Sequence, residues 1–264
     1  MASLEHIARF PKKPDYPIPL LFVHGAWHGA WCWDKYFLPY FAERGFDAHA
    51  LSLRGHGKSS GKERLQWIRI KEYVEDVVQI AQQLSQPPIV IGHSMGGFVV
   101  QKYLEQYYAP GGVLMASAPP KGVLKTTVAF GKRHPLVLLK TNLKMRLGPI
   151  VETPELAREM LFSEDMPKEV LAAYFAQLQD ESYLAYIDMM GLNLPHPKRV
   201  KSPMLVLGGM KDQVFTTEEV EQTAVSYNTT PHLFPMAHDM MVEEGWQSVA
   251  DTIIDWLHDI KDEG

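Results

Sequence analysis

The sequence is poor in several features that would define other classes of protein. Cys32 is the only cysteine among 264 residues, so no disulfide can form within the chain and no site with four cysteine ligands exists. No stretch approaches the roughly 20 apolar residues that span a bilayer. Residues 1–19 interrupt their apolar positions with charges and prolines, unlike a secretory signal. The net charge of −5 gives no general attraction to nucleic acid. Together these absences predict a cytoplasmic protein that does not bind nucleic acid.

Short apolar runs that end in glycine-rich turns alternate with longer amphipathic segments. Nearly continuous apolar runs are typical of strands buried on both faces, as in a parallel sheet. The predicted strands are Ile18–Val23, Phe46–Leu53, Pro88–Ile91, Gly112–Ala116 and Met204–Leu207, with a short one before residue 235. The predicted helices are Trp33–Arg44, Ile70–Leu84, Phe98–Tyr108, Thr217–Tyr227 and Gln247–Ile260. This alternation predicts an α/β protein with a doubly wound, mostly parallel sheet.

One long segment breaks the alternation. Residues 120–197 contain helical patterns and prolines but no convincing strand. We therefore expect residues 1–119 and 198–264 to form the α/β core, with 120–197 as a helical cap insertion. Open α/β sheets bind ligands at the carboxyl edge of their strands, and the cap is expected to lie over that edge.

The strongest local motif is Gly92-His93-Ser94-Met95-Gly96, placed between a predicted strand and a predicted helix. In the G-x-S-x-G pattern the serine sits on a sharp turn that exposes its hydroxyl. Side chains at Gly92 and Gly96 would clash across so tight a turn. A glycine-rich turn with a bystander serine is the alternative, but the flanking strand and helix favour a nucleophile at Ser94.

A serine hydroxyl needs a base to take its proton and a carboxylate to orient that base. In folds of this kind the order along the chain is Ser, then Asp or Glu, then His. Asp212 follows the Met204–Leu207 strand, and His238 follows the last short strand, so both should reach the same sheet edge. We predict Asp212 and His238 as the acid and base. Asp239 is expected to point away from the base, because adjacent side chains rarely converge.

The loop after the first buried strand, His24-Gly25-Ala26-Trp27-His28, should complete the site. An oxyanion hole needs two backbone N–H donors, and we assign them to Ala26 and Met95. Trp27, His28 and His93 are predicted to line the substrate pocket. The spacing of His24 and His28 would suit two metal ligands, but no third is evident, so we predict neither a metal nor a cofactor.

These motifs together resemble the α/β-hydrolase superfamily. The resemblance rests on His24-Gly25 with Ala-Trp after it, on residues Arg54–Ser59 (RGHGKS), on the Ser94 motif, on Gly209–Asp212 and on His238, in that order. It covers about residues 18–118 and 203–257 and leaves the helical insertion unmatched. One departure is Ser52, where many members have Asp ahead of the Arg-Gly pair, so a hydrogen bond of that loop should differ.

The resemblance implies hydrolysis of a carboxylic ester through an acyl-enzyme. The GHSMGG motif is similar to monoglyceride lipases and lysophospholipases, which implies apolar acyl substrates such as monoacylglycerols or lysophospholipids. The HGAWHGAW stretch is closer to plant methylesterases and hydroxynitrile lyases. Such lyases add a lysine near the histidine, and none lies between Asp212 and His238. Thioesterases, carbon–carbon bond hydrolases and small-molecule receptors share the three residues and stay open, as does the oligomeric state.

The insertion carries a basic and apolar stretch. Residues 121–146 contain seven Lys and Arg residues and no acidic residue. One interpretation is a cap that covers the pocket with its apolar side while the lysines face water. The other is a transient contact with an anionic lipid surface.

Overall fold

The structure is a computed structural model that describes residues 2–262, and a seven-stranded sheet organises it. The strands lie in the order β1-β3-β2-β4-β5-β6-β7, and every neighbouring pair is parallel except β1 with β3. The strand bounds are β1 Glu5–Arg9, β2 Leu20–Val23, β3 Ala48–Ser52, β4 Ile89–His93, β5 Gly112–Met115, β6 Met204–Gly209 and β7 Pro231–Phe234. The predicted doubly wound, mostly parallel sheet is confirmed.

The central strands form because all of their side chains can be buried. Every residue of β2 to β6 is buried, which matches the continuous apolar runs of the sequence. The edge strand β1, with the sequence EHIAR, was not predicted, because it mixes charged and apolar residues and is only half-buried. It forms by antiparallel pairing with β3, in the register Glu5 opposite Ser52.

Helices cover both faces of the sheet. Their bounds are α1 Trp31–Asp34, α2 Phe37–Glu43, α3 Ile70–Ala81, α4 Met95–Leu104, α10 Thr217–Ser226 and α11 Trp246–Asp262. The single helix predicted over 33–44 is therefore two helices. Pro39 explains the break, since its ring would clash with the carbonyl of Lys35 in a continuous helix. Phe22 of β2 packs against the rings of Trp33, Phe37 and Phe41 in the core.

The segment between β5 and β6 is helical. It contains α5 Leu124–Arg133, α6 Pro135–Lys144, α7 Pro154–Leu161, α8 Lys168–Phe175 and α9 Tyr183–Ile187, with short 3₁₀ or π turns at 148–151, 188–192 and 197–199. Its β structure is a single isolated bridge between Arg146 and Ser182, within residues 2–262. No helix in the described part of the chain is both long and apolar enough to cross a membrane.

Buried polar contacts fasten this helical segment to the loops at the carboxyl edge of the sheet. The Gln179 N–H donates to the carbonyl of Trp27 at 2.8 Å. The Glu181 carboxylate lies 3.0 Å from Nε2 of His56, and both side chains are fully buried. Asp188 accepts from the N–H of Ile70 at 3.1 Å and also pairs with Arg69, at the start of α3. The segment therefore covers the sheet edge at which the predicted site residues lie.

Candidate active site

Ser94 occupies a strained turn between β4 and α4. Its φ angle is +52°, in a region that non-glycine residues rarely adopt. Two hydrogen bonds hold it there, from its N–H to the Met115 carbonyl at 3.1 Å and from the Ala118 N–H to its own carbonyl at 3.0 Å. Position 92 requires glycine, because a Cβ there would lie 2.5 Å from the Gly96 carbonyl oxygen. The turn thus presents Ser94 at the start of α4.

The predicted base and acid are in contact. Nδ1–H of His238 donates to Oδ2 of Asp212 at 2.8 Å, and both side chains are buried. The other carboxylate oxygen, Oδ1, accepts from the N–H groups of Val214 at 2.7 Å and Phe215 at 3.1 Å. The backbone therefore fixes the carboxylate, and the carboxylate fixes the tautomer that leaves Nε2 of His238 free to accept a proton.

The charge of Asp212 gives His238 a definite pH dependence. Burial lowers the pKa of His238, but the neighbouring Asp212 carboxylate outweighs this effect, so the pKa lies above the usual 6.5. A base must be neutral to accept a proton. We expect kcat/KM for a p-nitrophenyl ester to fall as the pH drops through a value above 6.5. A pH–rate profile measures this midpoint, and an acid limb at or below 6.5 would contradict the assignment.

Ala26 and Met95 border the same cavity as Ser94. Met95 is the first residue of α4, so its N–H has no acceptor within the helix. In the described residues, no backbone carbonyl accepts the Ala26 N–H either. Both donors are therefore free for a ligand oxygen, as the predicted oxyanion hole requires.

An apolar cavity of about 90 Å³ adjoins Ser94 and lies beneath the helical segment. Trp27 borders it, and its indole N–H donates to the Leu147 carbonyl at 3.3 Å. The other lining residues are Ala118, Val123, Thr126, Thr127, Phe130, Leu138, Leu147, Ile150, Met160, Tyr186, Met189, Val214 and Phe215. Larger surface grooves, such as one of about 570 Å³ between α5 and α10, do not include Ser94. The arrangement suits a small apolar group attached to a carbonyl at Ser94.

The prediction that His28 and His93 line this cavity is not supported. Both side chains are buried and neither is among the residues that line the cavity. Nε2 of His28 lies 2.9 Å from Oδ2 of Asp239, and Nε2 of His93 lies 3.0 Å from the His238 carbonyl oxygen. Asp239, expected to point away from the base, makes no hydrogen bond to the His238 ring among the described residues, and its carboxylate pairs with His28 in this buried group.

His93, His238 and Asp239 offer nitrogen and oxygen atoms within 4.8 Å of one another. Such a group resembles the donor set of a metal site, but each of the three already has a hydrogen-bond partner: the His238 carbonyl, Asp212 and His28 respectively. The three residues are thus already held in a hydrogen-bonded network.

Ser52 stands where the resemblance predicts Asp, and its hydroxyl makes two hydrogen bonds. Oγ of Ser52 accepts from the Ala30 N–H at 2.9 Å and donates to the Glu5 carboxylate at 2.6 Å. Glu5 of β1 thus supplies the carboxylate that the shorter Ser52 side chain lacks. Sequence reasoning missed Glu5, since the residue lies in the strand that the pattern did not reveal.

Comparisons with known proteins agree with this geometry. The alpha/beta hydrolase family model matches residues 20–252. The monoacylglycerol lipase of Mycolicibacterium smegmatis is 28% identical over 236 residues, 82% of this chain and 80% of that protein. Methyl jasmonate esterase 1 of Vitis vinifera is 33% identical over 87 residues, 32% of this chain and 33% of that protein.

A likeness to solved structures extends over nearly the whole chain. The crystal structure of Paleococcus ferrophilus monoacylglycerol lipase superposes with a TM-score of 0.72 at 21% identity, covering 98% of this chain and 99% of that chain. At this identity the likeness shows a shared fold. The sheet order, the elbow and the family match over residues 20–252 lead to one conclusion. This chain belongs to the alpha/beta hydrolase family.

Proposed function

We propose that this protein is a serine hydrolase that cleaves carboxylic esters through an acyl-enzyme on Ser94. One observation carries the proposal. A strained serine borders an apolar cavity at the sheet edge where His238 donates to Asp212 at 2.8 Å. These are the parts that acyl transfer needs: a nucleophile, an oriented base and a site for the acyl group.

The first half of the reaction forms the acyl-enzyme. Nε2 of His238 takes the proton of the Ser94 hydroxyl as Oγ attacks the ester carbonyl carbon. The carbonyl oxygen becomes negative and accepts from the N–H groups of Ala26 and Met95. When the carbon–oxygen bond breaks, His238 gives its proton to the leaving alcohol. The alcohol departs and the acyl group stays on Ser94.

The second half uses water in place of the serine. His238 takes a proton from water, and the resulting hydroxide attacks the acyl carbon. Ala26 and Met95 hold the oxyanion again, and the bond to Oγ breaks. His238 returns its proton to Ser94, which releases the carboxylic acid and restores the enzyme.

The cavity supports esters with an apolar acyl group. Its lining is almost entirely apolar, and three methionines (Met95, Met160 and Met189) can adapt to different chains. Its volume of about 90 Å³ is small beside the roughly 300–1,000 Å³ usual for ligand sites. We infer that short acyl chains fit directly and that longer ones, as in monoacylglycerols or lysophospholipids, require the cap helices to move. The M. smegmatis relative is named a monoacylglycerol lipase, which supports monoacylglycerols as a substrate class.

Labelling and turnover measured together test the proposal. A fluorophosphonate probe should label wild type and not Ser94→Ala, while wild type hydrolyses p-nitrophenyl esters, monoacylglycerols or lysophospholipids. Labelling without turnover of any ester would favour a small-molecule receptor on a hydrolase fold instead. Turnover of thioesters in preference to the matched oxygen esters would favour a thioesterase.

We further propose that the cap touches lipid surfaces through leucines and not through its basic residues. Leu136, Leu139 and Leu143 share one face of α6 and are 78%, 54% and 77% exposed. Four of the seven basic residues of 121–146 are already paired with acidic ones. These four are Lys125, Arg133, Lys140 and Arg146. Leu138 of the same helix borders the cavity, so a lipid contact here would adjoin the site.

Flotation with zwitterionic phosphatidylcholine vesicles tests the leucine face. Leu136→Gln/Leu143→Gln should lose most vesicle binding while hydrolysis of a soluble p-nitrophenyl ester stays unchanged. Lys132→Gln/Lys144→Gln is the matched control and should bind as wild type does. Binding that needs anionic lipid and fails only in the lysine variant would contradict the proposal and restore the electrostatic interpretation.

A further inference from the structure

A group of three polar side chains lies buried directly behind the proposed site. His28 and Asp239 are fully buried and His93 is 1% exposed, and none borders the cavity. Each is a near neighbour in sequence of a site residue: His28 of Ala26, His93 of Ser94, and Asp239 of His238. We call these three residues the buried layer. Buried charge of this kind is costly unless it is fully paired, so its contacts need an explanation.

His28 joins the oxyanion loop to the loop that carries His238. Its Nδ1 lies 2.7 Å from the Ala26 carbonyl oxygen, and its Nε2 lies 2.9 Å from Oδ2 of Asp239. Both partners can only accept, so both ring nitrogens must donate and the ring is an imidazolium. Burial lowers the pKa of His28, but the charge of Asp239 outweighs it and raises the pKa. The contact is thus a buried ion pair between the two loops.

His93 joins the strand before the nucleophile to the same histidine loop. Its Nε2–H donates to the carbonyl oxygen of His238 at 3.0 Å, and the two imidazole rings are 4.8 Å apart. Burial, and then the proximity of His238, lowers the pKa of His93 to about 3. A neutral ring here does not repel His238 when that residue takes up a proton. His93 therefore holds the base in place without opposing its charge.

We propose that the buried layer positions the oxyanion hole, the nucleophile and the base relative to one another. His28 and Asp239 would act through the Ala26 loop and the backbone of His238, and His93 through the His238 carbonyl. The inference rests on the proposed function. Trp27, between Ala26 and His28, has a φ angle of +66°, so the oxyanion loop holds a strained conformation that the His28 contact helps to fix.

Asp239→Leu tests the ion pair. Leucine leaves Nε2 of His28 without its partner and so breaks the contact between the oxyanion loop and the loop of His238. Asparagine would not serve, because its NH₂ group could donate to Nε2 while Nδ1–H still donated to Ala26. We expect kcat to fall by about 10²-fold with KM nearly unchanged, because a displaced oxyanion donor acts only in the transition state. Affinity for a trifluoromethyl ketone, whose adduct places an oxyanion in the hole, should fall by a similar factor.

His93 offers a pair of variants that separates positioning from packing. His93→Gln keeps an N–H near the position of Nε2 and should retain most of kcat. His93→Leu fills similar space without a donor and should lose it. Equal kcat in the two variants, at equal melting temperature, would overturn the role of His93.

The double variant His28→Gln/Asp239→Asn keeps the inference testable if Asp239→Leu alone does not fold. It removes both buried charges at once, which proteins often tolerate. We expect this double variant to fold and to show the same losses in kcat and in trifluoromethyl ketone affinity as the single Asp239 variant. The matched control is His56→Gln/Glu181→Gln, a second fully buried His–carboxylate pair, 3.0 Å apart, that does not border the cavity. It should lower the melting temperature with little effect on kcat.

The outcomes separate this inference from the proposed function. If wild type neither labels at Ser94 nor turns over esters, the proposed function fails. If wild type turns over but the folded buried-layer variants match it in kcat and in trifluoromethyl ketone affinity, only the positioning role fails. Losses equal to those of the His56/Glu181 control would also overturn it.

Discussion

Asp212→Asn is expected to lower kcat/KM for a p-nitrophenyl ester by about 10⁴-fold, the scale of the same change in a Ser-His-Asp protease. Oδ1 of Asp212 accepts two backbone N–H groups, at 2.7 and 3.1 Å. An asparagine must therefore keep its oxygen on that side and turn its NH₂ group toward Nδ1 of His238. Nδ1 then has to accept, the ring proton moves to Nε2, and the base can no longer take the proton of Ser94.

Steady-state kinetics on purified variants measure this effect. Asp255→Asn is the matched control, because Asp255 is exposed on α11 and the same change there should leave kcat/KM unaltered. The melting temperature of Asp212→Asn should stay close to that of wild type, because the amide preserves the contacts with Val214 and Phe215. A folded Asp212→Asn variant within about tenfold of wild type would exclude Asp212 as the orienting acid.

Gly96→Ala should damage both the fold and the reaction. A Cβ at this position would lie 2.4 Å from the carbonyl oxygens of Val23 and His24 at the end of β2. These are backbone atoms, which cannot rotate away as a side chain can. Either the elbow or the oxyanion loop must therefore shift. We expect a loss of about 1–3 kcal/mol in the free energy of unfolding and a fall in kcat of about 10²-fold.

Urea unfolding and kcat, measured on the same preparations, check this prediction. Gly131→Ala is the control, because the new methyl group would meet only the end of the Leu138 side chain, which can rotate, within a helix that favours alanine. It should leave the free energy of unfolding within about 1 kcal/mol of wild type. Wild-type stability and kcat in Gly96→Ala would show that the elbow tolerates a side chain.

The sequence predicted the parts of the fold whose residues are buried on every side. The strands β2 to β6 are fully buried, so a run of apolar residues was enough to reveal them. The strand β1 was missed, since its stability comes from pairing with β3 and not from its own pattern. The helix α4 begins at Met95 and not at Phe98, because glycines at 96 and 97 hide its first turn from propensity-based reasoning.

In the candidate site too, strand order predicts the positions of some residues, whereas loop conformation decides the positions of others. Ser94, Asp212 and His238 follow strands of a parallel sheet, so their meeting at one edge follows from strand order alone. Sequence position does not reveal which side of a loop a side chain takes. For this reason His28 and His93 were placed in the pocket, whereas they lie behind it. The contact between Asp239 and His28 joins residues 211 positions apart, and no local pattern could have indicated it.

The most direct test of the central claim is to find where an acyl group attaches during turnover. Wild-type protein is mixed with a p-nitrophenyl ester and quenched in acid within the first turnover. The protein is then digested, and the masses of its peptides are measured by mass spectrometry. The acyl mass should appear on Ser94 and be absent from Ser94→Ala, which should also lose ester turnover. An acyl group on another residue, or undiminished turnover in Ser94→Ala, would contradict the account.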